Sequence, residues 1–208
     1  MKNKVNKIIN YLDELYPNPK CELNYNKDYE LLISTMLSAQ TTDKRVNEVT
    51  KILYEKYPNL KSLSKANISD IKEIIKPLGT YNIKSKNVIE IAKKLEKIGY
   101  VPNDYDFLET MPGIGRKTIN VVLSNLYDVP CIAVDTHVKR VSIRLNLASK
   151  EDNVLTIEEK LTKIFKKEIH KKIHLQFVLF GRYHCKAKKP NCMTCKLKNI
   201  CQGCEISD

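Results

Sequence analysis

The chain has 208 residues, room for one large domain or two small ones, and a hydrophobic content of 42% supports a core. Thirty-six basic residues against 24 acidic ones leave a net charge of +12, which points to a polyanionic partner, although lysine and asparagine enrichment throughout also fits an AT-rich genome. No apolar run approaches a membrane span, and Met1-Lys2-Asn3-Lys4 precedes no signal-peptide core, so an intracellular protein with no membrane partner is expected.

Strand signals are nearly absent and helix signals dense. Lys4 to Leu15 places Ile8, Ile9, Leu12 and Leu15 on one face and is stopped by Pro17 and Pro19. Asp28 can cap an apolar helix from Tyr29 to Ala39, and Asp43 can cap the next, with Val46, Val49, Ile52 and Leu53 on one side. A turn at Pro58 leads to a short helix, Ser69 to Ile75, ended by Pro77 and Gly79. Tyr81 to Ile98 is longer, with Gly99 placed for a left-handed stop. Asp106 to Thr110, Thr118 to Tyr127, Thr136 to Leu145, Val154 to Phe165 and Lys171 to Tyr183 complete the set. Short helices, short loops and no internal repeat predict an all-α fold.

Between two of these helices lies Met111-Pro112-Gly113-Ile114-Gly115-Arg116-Lys117-Thr118. Gly113 and Gly115 let the backbone come close to something that a Cβ would obstruct, and the first turn of the next helix offers unpaired N–H groups that suit a phosphate. This is the pattern of a helix-hairpin-helix, which grips DNA backbone without reading bases; a plain αα-hairpin with glycine caps has the same residues. Lys117, with Arg116 beside it, stands where the helix dipole disfavours a charged amine, and an uncharged amine is what a Schiff-base nucleophile needs. Eighteen residues after Lys117, Asp135 opens another helix, as an N-cap or as a carboxylate able to stabilise developing positive charge.

Seven cysteines include four, Cys185, Cys192, Cys195 and Cys201, within seventeen residues at C-x6-C-x2-C-x5-C. A secreted disulfide framework would spread them, so a metal or cluster site in a reducing compartment fits better. Four thiolates hold either zinc or a [4Fe–4S] cluster, and spacing leaves both open. Cys21, Cys131 and Cys204 stand outside this group. The basic run Lys186-Ala187-Lys188-Lys189-Pro190 reads as a phosphate-binding element or as a solvated face.

Hairpin, Asp135 and cysteines, in this order and spacing, resemble the endonuclease III family of iron–sulfur DNA glycosylases, from about Asp28 to Cys201. The resemblance implies two helical lobes, 22–131 and 1–21 with 132–208, with the DNA groove between them. It implies a [4Fe–4S] cluster on the four cysteines and, as partner, double-stranded DNA carrying an oxidised pyrimidine or abasic site, bound by a monomer. Lys117 would attack C1′ and Asp135 would assist. Gly113, Gly115 and Arg116 would hold the backbone, with Lys188 and Lys189. Gln40, in the family's L-S-x-Q-T-x-D run, would fill the space left by the extruded nucleotide. The family usually has a leucine wedge after Gly79; Thr80 departs from this and should wedge less well. Lys84 and Lys86 either contact phosphate or form a solvated face. A mismatch or oxidised-purine glycosylase, and a DNA-binding iron–sulfur protein without catalysis, are the alternatives.

Overall fold

The computed structural model describes residues 2–203; Cys204 lies outside them. The described residues form eleven α-helices and no strand, as the helical periodicity requires. None of these helices is long and apolar enough to cross a membrane. The chain divides into two compact units, one of Cys21–Tyr127 and one of the chain up to Lys20 together with the chain from Asp128 on.

The first unit holds α2 (Asp28–Leu37), α3 (Asp43–Lys56), α4 (Leu60–Ser64), α5 (Ile68–Ile75), α6 (Tyr81–Glu96), α7 (Tyr105–Glu109) and α8 (Arg116–Tyr127). Helix α2 is its centre: every residue from Tyr29 to Leu37 is buried, as a helix apolar on all sides demands. Helices α3, α6 and α8 pack on it. Its buried hydroxyls are paired, Ser34 with the Tyr54 phenol at 2.9 Å and Thr35 with the Leu31 carbonyl at 2.7 Å.

The caps differ from those expected. Asp28 lies inside α2, and its carboxylate accepts from the distant Val101 amide at 2.6 Å. The Glu30 carboxylate instead accepts from the Asn26 and Lys27 amides ahead of the helix, at 2.7 and 3.3 Å. Thr42, not Asp43, caps α3, its hydroxyl accepting from the Arg45 amide at 3.3 Å. Helix α4 occupies what reads in sequence as a turn, capped by Asn59. Gly99 does stop α6, with φ +84 and its amide donating to Leu95 O at 2.7 Å.

In the second unit α1 (Lys2–Leu15), α9 (Thr136–Arg144), α10 (Val154–Ile164) and α11 (His170–Leu179) enclose Ile8, Leu12, Val138, Val141, Leu161 and Phe177. Helix α1 is fastened at its far end by the Gln176 amide, which donates to Asp13 Oδ1 at 2.7 Å and Tyr16 O at 3.0 Å. Helix α11 does not run regularly to Tyr183. Phe180–His184 widens into a π-helical turn, closed by the Cys185 amide donating to Phe180 O at 2.7 Å. Gly181 permits this: a Cβ there would lie 2.8 Å from His137 Cβ, so α9 presses on bare backbone. The widened turn delivers the first of the four clustered cysteines.

Candidate functional site

The α7–α8 turn is anchored from inside and open outside. Met111 and Ile114 are buried, and the Ile114 amide donates to Met111 O at 3.2 Å. Gly113 is required by the fold through its φ of +76; a Cβ would also meet Asn87 Nδ2 at 2.4 Å, the end of a side chain that would have to turn aside. Gly115 is not so required, since a Cβ there would meet nothing within 4 Å and its φ is not left-handed. Its missing side chain keeps clear the approach to the first amides of α8. Arg116 and Lys117 follow at once, both exposed, with no acidic residue in that first turn. Gly113→Ala is expected to lower stability by about 1–3 kcal/mol, and Gly115→Ala by less than about 0.5, in thermal or denaturant unfolding. Equal losses would remove the distinction between the two glycines.

Two exposed loops of the same unit carry strained backbone. Gln40 has φ +61 and Thr80 φ +43, both left-handed without being glycine, and Gly79 beside Thr80 has φ +67. Gln40 and Thr80 point no buried surface at the core. Lys84 corrects the expectation of a phosphate contact. It is 5% exposed, and its ammonium donates to Ala39 O at 2.8 Å and Leu78 O at 3.0 Å. Burial pushes its ammonium below the usual lysine value. Lys86 is exposed. So is Ile83, at 65%, one turn of α6 beyond Thr80; it has no place in the sequence reading, because an apolar residue near a helix start reads as core.

Asp135 belongs to the other unit and is half-buried. It is the N-cap of α9, its Oδ1 accepting from the Val138 amide at 2.8 Å. His137 and Arg140 follow on the same helix, with Arg140 Nη2 3.2 Å from His137 Nδ1. Burial pushes the His137 imidazole below its usual value; Asp135 opposes this and Arg140 and Arg182 add to it. The carboxylate thus stands beside basic groups at a helix N-terminus.

The cysteine loop leaves the π-helical turn and runs through short 3-10 turns at Cys192–Thr194 and Lys198–Ile200. None of the four thiols forms a disulfide. Burial pushes the Cys185 and Cys195 thiols up, and the charges of Cys185, Cys201 and Cys192 push Cys195 further. Arg144 counters at Cys185, donating to its Sγ at 3.3 Å, and the Gly203 amide donates to Cys201 Sγ at 3.3 Å. The same guanidinium donates to Lys186 O at 2.6 Å and Ala187 O at 3.2 Å, holding the start of the basic run. Lys188 and Lys189 themselves are exposed. Among the described residues no three His, Cys, Asp or Glu side chains could hold a single metal ion. Four thiols in one loop, Cys185 and Cys201 of them accepting from N–H donors, are nonetheless a donor set for a larger, positively charged centre. Nothing in the sequence pattern marks Arg144 as the residue that organises this loop.

The sequence profile described as HhH-GPD superfamily base excision DNA repair protein matches residues 33–167. Endonuclease III of Bacillus subtilis is 41% identical over 193 residues, covering 92% of this chain and 88% of the relative. A solved structure of a non-covalent endonuclease III–DNA complex superimposes with a TM-score of 0.94 at 40% identity, covering 99% of this chain and 97% of that one. A trapped endonuclease III–DNA covalent intermediate gives 0.94 and 40%, covering 99% and 98%.

Proposed function

The chain belongs to the endonuclease III family within the HhH-GPD superfamily of base excision DNA repair proteins, DNA glycosylases and abasic-site lyases, and from that premise we propose that it excises oxidised pyrimidines through Lys117. The observation that carries the reading is the α7–α8 turn, where a fold-locked Gly113 and an unobstructed Gly115 lead directly into an exposed lysine.

In the proposed reaction the Lys117 amine attacks C1′ and the base departs with the bonding electrons, taking up a proton. Opening of the sugar ring gives an imine between C1′ and Nζ, and O4′ becomes a hydroxyl. The imine acidifies C2′; loss of a C2′ proton expels the 3′ phosphate, and hydrolysis of the imine frees the enzyme. Asp135 stabilises the positive charge that develops on the sugar as the base leaves. The amides at the start of α8, with Arg116, hold a phosphate, and Lys188 and Lys189 hold another part of the backbone. Gln40 enters the space of the extruded nucleotide, and the Thr80 loop, with exposed Ile83 as its apolar edge, meets the duplex beside it. One chain acts on one lesion in double-stranded DNA.

The test is incubation with duplexes bearing a thymine glycol or an abasic site. Strand cleavage 3′ to the site, leaving an unsaturated sugar end, is expected on both. Base removal without cleavage would sink the Schiff-base reading.

Cys185, Cys192, Cys195 and Cys201 are proposed to hold a [4Fe–4S] cluster, which supplies a rigid tie between the two ends of the loop and no step of the excision. The purified protein should be yellow-brown and contain about four irons per chain. Zinc in place of iron would overturn this assignment. Cys192→Ala is expected to cost folding or DNA affinity rather than the rate of the chemical step in correctly folded protein.

A further inference from the structure

The buried ammonium of Lys84 touches both loops proposed to enter the duplex. It reaches Ala39 O at 2.8 Å, the carbonyl just before Gln40, and Leu78 O at 3.0 Å, the carbonyl just before Gly79 and Thr80. Each carbonyl therefore immediately precedes left-handed backbone, Gln40 at φ +61 and Gly79 and Thr80 at φ +67 and +43. Left-handed backbone at a non-glycine residue persists only where the surroundings over-determine it. Exposure at Gln40, Gly79 and Thr80 leaves the loops little packing of their own, and their backbone bonds, Thr41 N–H to Ser38 O and Ile83 N–H to Thr80 O at 3.1 Å each, are local to each loop. Nor is an ammonium a natural filler for such a site, since a buried charge is costly unless hydrogen-bonded, and an apolar side chain of equal length would fill the space. The Lys84 amide also donates to Thr80 O at 3.1 Å, so the residue holds the Thr80 loop by backbone as well as by ammonium, whereas the ammonium alone reaches the Gln40 loop.

We propose that Lys84 is a positioning residue that clips the Gln40 and Thr80 loops to one point, setting their separation before DNA binds so that both enter the duplex together as the nucleotide leaves it. The inference rests on the insertion roles proposed above for those loops. Its functional consequence is preorganisation: without the clip the loops must find their spacing during extrusion, a step in which small misplacements are expensive.

Lys84→Met keeps the length and removes the donors. In the DNA-free protein, amide hydrogen exchange is expected to speed up in segments 38–42 and 78–82 and to stay unchanged in α8. On duplex DNA with 2-aminopurine beside a thymine glycol, the fluorescence rise that reports extrusion should shrink. Single-turnover excision should fall about a hundredfold. Affinity for undamaged duplex and its salt dependence should not move, because the ammonium faces carbonyls; Lys188→Ala with Lys189→Ala, by contrast, should lower the logarithmic salt slope by about 0.9 per lost phosphate contact. Adding Gln40→Ala to Lys84→Met should cost less than the two separate losses combined, the signature of residues acting through one another. If Lys84→Met does not fold, Lys84→Arg takes its place; it keeps the charge but widens the head, and the same losses are expected in smaller degree.

A folded Lys84→Met protein that extrudes and excises at the wild-type rate overturns the clip. So does a fall of about 0.9 in its salt slope, which would put the ammonium on a phosphate. Failure of the underlying insertion reading is separable: Gln40→Ala alone would then leave extrusion and excision untouched, while loop exchange still responded to Lys84→Met.

Discussion

Lys117→Gln is expected to lose strand cleavage and borohydride trapping by at least about a thousandfold, since the only proposed nucleophile is gone. In the wild-type protein, borohydride should reduce the imine and leave a covalent protein–DNA adduct on an abasic or thymine-glycol duplex. The side chain is exposed on the first turn of α8, so unfolding free energy should change by less than about 0.5 kcal/mol. Binding to an abasic duplex should stay within about tenfold, because the turn, its amides and Arg116 are intact and only one charge is removed. Loss of chemistry with retained binding is the outcome that assigns the attack to this amine. A Lys117→Gln protein still trapped by borohydride would move the nucleophile elsewhere.

Asp135 separates a structural from an electrostatic role in one pair of variants. Its Oδ1 caps α9 through the Val138 amide at 2.8 Å. Asparagine keeps that acceptor and is an equally good cap, so Asp135→Asn should leave stability within about 0.5 kcal/mol. Alanine removes the acceptor and should cost about 1 kcal/mol. Base excision should fall about a hundredfold to a thousandfold in both, since both lack the charge that offsets positive charge on the sugar. Denaturant unfolding and single-turnover excision, run on the same two preparations, give the comparison. Full activity in Asp135→Asn would leave Asp135 as a helix cap and nothing more.

The all-α architecture was legible because burial follows the 3.6-residue period: Ile8 and Leu12 in α1, or Val46, Val49 and Leu53 in α3, lie inside as their spacing requires, whereas Ile52, read onto the same side of α3, is 54% exposed. The cap residues were harder to place. Glu30 stands two positions from Asp28 and Thr42 next to Asp43, and in the first pair the choice is settled by Val101, which is remote in sequence and takes the Asp28 carboxylate. Helix α4 was hidden because five residues are too few to show a period. The hairpin was readable because Gly113 answers to local backbone geometry. Lys84 was misread for the opposite reason: its partner Ala39 O is 45 positions away, and a lysine ammonium in sequence carries no mark of which way its stem turns. Ile83 and Arg144 were silent on the same grounds, their significance lying in what surrounds them.

The second unit is made from both ends of the chain, and this orders its birth on the ribosome. Helix α1 precedes the rest of its unit in synthesis, and Phe177 and Phe180, against which Ile8, Tyr11 and Leu12 form a core, emerge more than 160 residues later. The Cys21–Tyr127 unit is continuous in sequence and can close on itself long before then. Through most of translation α1 therefore waits, an amphipathic helix without the core it will join. Its capture waits for α11, so fragments ending near Tyr127 should contain one folded unit and a helix still seeking cover.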